Sequence, residues 1–231
     1  MRMNKELGED FFANVLDYRN SNETIQMFEK FNQIMCWYGC AIREVRTKLE
    51  VLNDEFQSTT ARNPIDNIKS RIKKPLSIYE KLQRRGFPVT MDSILTNMHD
   101  VAGIRVICPF IDDIYTVADM LIAQDDITLI QRKDYIKNPK ENGYRSLHLV
   151  VEVPIFLSTG KQMIKVEVQI RTIAMNFWAS LEHQIHYKKS QEDVEDVVSQ
   201  LTDCANVIYE TDMKMQEIRK QLEAEGKLNM E

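Results

Sequence analysis

The chain has 231 residues, a net charge of −5, 43% apolar and 28% charged residues, an ordinary composition for one large globular domain or one medium domain with helical arms. No run of about 18 apolar residues occurs, so no membrane span is expected, and the opening MRMNKELGEDFF lacks the apolar core of a secretory signal, which implies a cytoplasmic protein. A surface coating nucleic acid as a whole would be basic, so any polyanion site here has to be local.

In chain order, the first 60 residues read as helical. FEKFNQIMCWYGCAIREVRTKLEVLNDEF places Phe28, Phe31, Ile34, Met35, Ala41, Ile42, Val45, Leu49 and Leu52 at spacings of three and four, an amphipathic pattern. RNPIDNI predicts a helix start capped by Asn63 with Pro64 in the first turn, and a second start is expected at Ser77, running to Gly86. VAGIRVICPF reads as a strand, DDIYTVADMLIAQ as a helix, and ITLIQRKDY and SLHLVVEVP as strands. STG is a turn before the strictly alternating strand KQMIKVEVQIR. IAMNFWASLEHQIHYKK is a helix, and one long charged helix is expected from about Glu192 to Ala224. Its stripe of Val194, Val197, Val198, Leu201, Ala205, Ile208, Met215 and Ile218 predicts docking on the core or on another subunit. The strand and helix alternation predicts an α/β (α+β) fold with a mixed sheet and helices packed on it.

Chemistry concentrates in a few stretches. KSRIKKPLSIYEKLQRRG is dense in Lys and Arg, with Ser77, Lys81 and Arg84 on one helix face, a pattern suited to polyphosphate or to plain solvation. In HDVAGIRVIC, Asp100 ends a loop and Arg105 sits inside an apolar strand, where a cation needs an edge or a ligand. In IKVEVQIR, Lys165, Glu167, Gln169 and Arg171 share one face. Asp100 and Glu167 are the candidate carboxylates for a shared Mg²⁺. The stretch NGYRSLH crowds Tyr144, Arg145, Ser146 and His148 at a strand start. Other motifs fail. STGK lacks the preceding glycine and following helix of a phosphate loop, and His183 and His186 are three apart where the zincin motif needs four. The four cysteines, Cys36, Cys40, Cys108 and Cys204, make no CxxC and read as reduced thiols.

Together HDVAGIRVIC, KDYIKNPKENGYRSLH, VEVQIRTIAMNFWASLEH and SRIKKPLSIYEKLQRRG, over about residues 60–190, resemble the synthetase domain of the RelA/SpoT homologues. The resemblance implies a stand-alone small alarmone synthetase with a mixed-sheet core of nucleotidyltransferase-like type. It implies an N-terminal helical region at 1–60, the synthetase domain at 61–190, and a C-terminal helix at 191–231 as an oligomer contact. The implied reaction moves the β,γ-pyrophosphate of ATP to the 3′-hydroxyl of GDP or GTP. By resemblance, Asp100 binds Mg²⁺, and Glu167 helps with the metal and activates the acceptor hydroxyl. Arg71 and Arg105 clasp adenine. Lys73, Ser77, Lys81 and His148 line the transferred phosphates. Tyr144 stacks on guanine, with Lys140, Gln169 and Asn176 near the acceptor nucleotide. Local chemistry adds Arg84 on the ATP side and Arg145 on the acceptor side. Gln131 departs from the charged residue of the long enzymes and, with Lys133 and Asp134, leaves GDP against GTP open. Competing readings are transfer to an adenine nucleotide or a tRNA 3′ end, and a non-catalytic nucleotide or RNA binder. A homotetramer is implied, with a regulatory nucleotide or RNA as a further partner.

Overall fold

The structure is a computed structural model that describes residues 22–59, 62–186 and 194–225. The expectations for residues 1–21 and for Glu192 fall outside these.

The order of elements is α1 (Asn22–Thr59), β1 (Asn67–Ile72), α2 (Pro75–Arg84), α3 (Met91–Asn97), β2 (Ala102–Cys108), α4 (Ile111–Ile122), β3 (Thr128–Asp134), β4 (Leu147–Leu157), β5 (Gly160–Thr172), α5 (Ile173–His186) and α6 (Val194–Ala224). The strands form one five-stranded sheet in the order β1-β2-β5-β4-β3. β2 and β5 run parallel, and every other pairing is antiparallel. This is the mixed, helix-flanked α+β sheet that the sequence predicts.

Alternation along β5 explains how the sheet is used. Ile164, Val166, Val168 and Ile170 are buried, and they join Ala102, Ile104 and Val106 of β2 and Leu147, Leu149 and Val151 of β4 in one apolar layer. α1 and α4 cover that layer. Ile34, Tyr38, Ala41, Ile42, Val45 and Leu49 of α1 belong to the same core, as do Ile114, Val117, Ala118 and Leu121 of α4. Burying a Leu- or Ile-sized side chain contributes about 1.5–3 kcal/mol, so α1 is fixed to the sheet rather than appended to it. The alternate residues of the paired strands, Glu167 and Gln169 of β5 among them, face away from this layer.

Two expected helix starts are corrected. Asn63 is not a cap: its Oδ1 accepts from the Ile65 N–H at 2.9 Å in a local turn, and the Asp66 N–H already donates to the Ile107 carbonyl at 2.8 Å. RNPIDNI therefore leads into β1, because pairing with β2 satisfies its backbone. The helix placed at Ser77 begins at Pro75, after Lys74 in extended conformation. Proline suits the first helical position, where its missing N–H is not needed. The same helix ends at Arg84, two residues before Gly86.

α6 packs beside α5, with Leu201 and Ala205 buried against Trp178. The Trp178 indole N–H donates to the Leu201 carbonyl at 2.9 Å. Further along, Asp112 and Asp113 of α4 meet Arg219, with Arg219 Nη2 at 3.1 Å from Asp112 Oδ2.

Candidate active site

Strand register builds the open face. Directly paired residues point the same way. Lys69 lies opposite Arg105 and Arg71 opposite Gly103; Gly103 opposite Glu167 and Arg105 opposite Gln169. His148 lies opposite Gln169, and Lys133 opposite His148. The alternation that buries Val166 and Val168 thus gathers cations from β1 to β3 around Glu167.

Asp100 sits at the mouth of β2. The Lys73 N–H donates to the Val101 carbonyl at 2.8 Å, one rung beyond the end of β1, which brings the Lys73 side chain to Asp100. Asp100 Oδ2 accepts from Lys73 Nζ at 2.9 Å and from Lys81 Nζ at 2.6 Å. Burial pushes the Asp100 carboxyl up, but the hydrogen bonds and charges of Lys81 and Lys73 outweigh it and hold it below its ordinary value. Its second oxygen, Oδ1, is buried without a hydrogen-bond partner. A buried carboxylate oxygen left unpaired is costly, so this atom is oriented for something a ligand brings.

Glu167 stands across the same cleft. Burial again raises its carboxyl, and the neighbouring His148 ring and Gln169 amide overcome this and lower it, with Asp100 opposing them. Gln169 Nε2 donates to Glu167 Oε2 at 2.9 Å, and His148 Nδ1 lies 3.4 Å from Oε1. The other His148 nitrogen, Nε2, is 2.7 Å from the Tyr144 hydroxyl. Arg171 Nη2 donates to that hydroxyl at 2.5 Å and to Gln169 Oε1 at 2.9 Å. Arg171, Tyr144, His148, Glu167 and Gln169 therefore form a closed ring of side chains.

The Tyr144 ring is carried by the turn at Gly143, whose φ is +83°. A left-handed residue is what glycine permits, and α6 crosses so closely that an added Cβ would meet Ala205 Cβ at 2.6 Å. Tyr135 and His148 stand edge-on to Tyr144, and the Lys140 ammonium lies 4.8 Å from its centroid.

The cleft between these groups has a volume of about 330 Å³, at the lower end of small-molecule sites. Five predicted residues line it: Lys81, Asp100, Lys140, His148 and Glu167. Lys73, Gln169 and Tyr144 reach it through the hydrogen bonds above. Arg71 and Arg105 extend the same sheet face toward β1. Burial, then the charges of Arg171 and Arg71, pull the Arg105 guanidinium below its ordinary value, and its Nε is buried without a partner. Such crowded cations call for an anion or a π face.

Other predicted residues lie elsewhere. Arg84 is exposed and does not line the cleft; Arg85, four residues after Lys81, does. A helix brings residues four apart into line. Arg145 is turned away to α6: it donates to the Ile136 carbonyl at 3.1 Å and to Asn206 Oδ1 at 3.3 Å, and stacks 4.1 Å from the Tyr209 centroid. In the segment before β4, Tyr144 turns to Arg171 and His148 while Arg145 turns to Tyr209. Ser77 is half-buried in the first turn of α2, and Asn176 lies on α5 with its Oδ1 buried and unpartnered; neither lines the cleft. Gln131 and Lys133, the stretch the resemblance ties to acceptor choice, also line it, and the sequence reading missed Tyr135 and His99, which do too. The pairing of Lys133 with His148 makes β3 a wall of the cleft.

Residues 70–192 match the family model described as a region found in RelA / SpoT proteins. The chain belongs to the RelA/SpoT family. Among the family's curated members, it is 40% identical over 197 residues to GTP pyrophosphokinase YwaC of Bacillus subtilis, covering 85% of this chain and 94% of that one. The solved structure of small alarmone synthetase 1 from Bacillus subtilis bound to its product pppGpp superposes with a TM-score of 0.77 at 38% identity, covering 84% of this chain and 98% of the other. A GTP pyrophosphokinase family protein from Streptococcus pneumoniae also gives 0.77, at 34% identity, covering 87% and 98%. The match spans nearly the whole length of these relatives.

Proposed function

We propose that this chain is a small alarmone synthetase that transfers the β,γ-pyrophosphate of ATP to the 3′-hydroxyl of GDP or GTP, giving (p)ppGpp and AMP. The observation that carries the proposal is the meeting of Asp100 and Glu167 in one cation-walled cleft. Relatives named as GTP pyrophosphokinases, and a structural neighbour bound to pppGpp, support it.

The donor enters from the β1 side. Arg71 and Arg105 hold adenine through guanidinium contacts with its π face, and Lys73 and Lys81 hold the phosphates. The acceptor enters from the β4 side. Guanine stacks on Tyr144, worth roughly 1–3 kcal/mol, with Lys140, Gln169 and Asn176 towards the rest of that nucleotide. The 3′ oxygen attacks the β-phosphorus, the bond from that phosphorus to the α,β-bridging oxygen breaks, and AMP leaves. Glu167 takes the hydroxyl proton, a role that contributes on the order of 10²–10⁴ in rate. Transfer of this kind needs positioning and charge neutralisation above all, which the lysines supply.

The residues also fit Mg²⁺. No group of three or more His, Cys, Asp or Glu that could hold a metal occurs among the described residues, and Mg²⁺ is the ion that manages with one or two carboxylates, taking substrate phosphate oxygens and water for the rest. The unpartnered Asp100 Oδ1 and Glu167 would hold it, and when bound it neutralises phosphate charge.

A homotetramer and a cytoplasmic location belong to the same reading. No described helix is long and apolar enough to cross a membrane. Ile173, Phe177, Leu181 and Ile185 form an exposed stripe on α5, and Val207, Met215, Ile218 and Leu222 another on α6; apolar stripes of this kind favour burial against further subunits. A monomer in light scattering would remove the tetramer.

The deciding experiment incubates purified protein with ATP, Mg²⁺ and GDP, GTP, ATP or tRNA as acceptor and resolves the products. Pyrophosphorylated guanosine from GDP or GTP is expected. No such product under any condition, or transfer only to an adenine nucleotide or tRNA, overturns the proposal.

A further inference from the structure

Arg171 is an unusual arginine. It is only 5% exposed, yet among the described residues no carboxylate lies within ion-pair distance of it. The buried arginine at the other end of the fold behaves differently, since Arg219 has Asp112 at 3.1 Å. An unpaired buried charge is expensive, and Arg105 nearby adds repulsion. Arg171 places its donors on neutral partners: the Tyr144 hydroxyl, Gln169 Oε1 and, through Nε at 3.4 Å, Ser146 Oγ.

The guanidinium has donors and no acceptor, and this gives both arms of the ring a direction. On the shorter arm, Gln169 must turn its carbonyl oxygen to Arg171, which leaves its NH₂ for Glu167 Oε2. On the longer arm, the Tyr144 oxygen accepts from Arg171. Its own proton has one acceptor within reach among the described residues, His148 Nε2 at 2.7 Å. That nitrogen is then the lone-pair nitrogen, and the ring proton sits on Nδ1, facing Glu167 Oε1 at 3.4 Å. The opposite tautomer would strand the tyrosine proton and set a nitrogen lone pair against a carboxylate oxygen. Hydrogen bonds in such a chain polarise one another.

We propose that Arg171 is a positioning residue for the transfer: through Gln169 on one side and Tyr144 and His148 on the other, it aims a donor at each oxygen of Glu167, fixes His148 as its Nδ1–H tautomer, and couples the ring that stacks the acceptor base to the acid that takes the acceptor's proton. This rests on the reading of Glu167 as that acid and of Tyr144 as the stacking ring. The structural assignment of protons can be tested without turnover.

The experiment combines nitrogen NMR of ¹⁵N-histidine-labelled protein with kinetics. The chain has four histidines, and His148→Gln identifies the signal. In the wild-type protein Nε2 is expected at the pyridine-like position and Nδ1 at the protonated position. Arg171→Met is expected to mix the tautomers and to lower kcat about 10²-fold, the scale of a small misplacement at a reacting centre, with KM for ATP little changed. Arg171→Lys, which keeps a charged donor, is expected to recover part of the loss and part of the tautomer preference. A protonated Nε2 in the wild-type protein overturns the proposal, and this measurement stands even if Arg171→Met does not fold. An unchanged His148 tautomer in a folded Arg171→Met protein, or a loss confined to KM for ATP, also overturns it. If the wild-type protein makes no pyrophosphorylated nucleotide, the functional reading fails while the tautomer result still decides the geometry.

Discussion

Asp100 and Glu167 reach one cleft from adjacent parallel strands: Asp100 stands just before β2, and Glu167 pairs with Gly103 within it. Each is half-buried, each is held below its ordinary carboxyl value, and the charge of Asp100 opposes ionisation of Glu167. Glu167→Gln keeps the shape and removes the carboxylate proposed to accept the hydroxyl proton. Product formation is expected to fall by about 10²–10⁴ with the circular dichroism spectrum unchanged. A fully active variant would transfer the base role elsewhere.

Asp100→Asn keeps the contact with the lysines but removes the charge they share. Lys73 and Lys81 both lie within 3 Å of Asp100 Oδ2, so neutralising that carboxylate leaves two ammonium groups repelling one another. The expected result is loss of transfer by at least about 10²-fold and a higher Mg²⁺ requirement for what remains, read by titrating Mg²⁺ at fixed ATP.

Gly143 meets two constraints at once, a φ of +83° and the close crossing of α6. Gly143→Ala adds left-handed strain of about 1–2 kcal/mol and a 2.6 Å clash with Ala205 Cβ. A fall in unfolding midpoint is expected, with weaker acceptor binding because Tyr144 follows directly. Adding Ala205→Gly should return the part due to the Ala205 clash and leave the part due to backbone strain and to Thr202 Cα at 3.2 Å.

Asp113 is 3% exposed and accepts both Nη groups of Arg62, at 2.7 and 2.6 Å. The guanidinium carbons of Arg62 and Arg219 lie 5.2 and 5.0 Å from the Phe110 centroid, so the pair ties the entry to β1, the start of α4 and the end of α6 together. Asp113→Ala is expected to cost about 3 kcal/mol in urea unfolding, with little effect on KM for nucleotides in the folded fraction.

Asp212 supplies a pH dependence. Burial raises its carboxyl above the ordinary value, with the hydrogen bond from Thr172, at 2.5 Å, opposing. A carboxyl raised on folding stabilises the native state while it is protonated, and that stability is lost as pH rises through the native value. Asp212→Asn retains an oxygen for Thr172 and removes the ionisation. Higher stability than wild type at neutral pH is expected, shrinking as pH falls through the raised native value towards the ordinary carboxylate range and levelling off below it. Equal stability of the two proteins across that window would refute the assignment.

Much of this was legible from residue order. Strict alternation in IKVEVQIR placed Glu167, Gln169 and Arg171 on one face, because a strand has a period of two, and the stripe on α1 marked its buried side. Composition and periodicity depend on neighbours in the chain, and these features do too. RNPIDNI shows the limit: its local signals favour a helix, and pairing with β2 overrides them. The site needed strand order. That β5 lies between β2 and β4 is what carries Glu167 to Asp100 and His148, and that β3 pairs with β4 is what brings in Lys133. Whether a polar side chain faces cleft or helix was also decided in three dimensions. Tyr144 and Arg145 are adjacent in sequence, yet one joins Arg171 and His148 while the other stacks on Tyr209. The residue types set which contacts are chemically possible, and tertiary packing, by closing long loops and burying particular faces, selected which of them form.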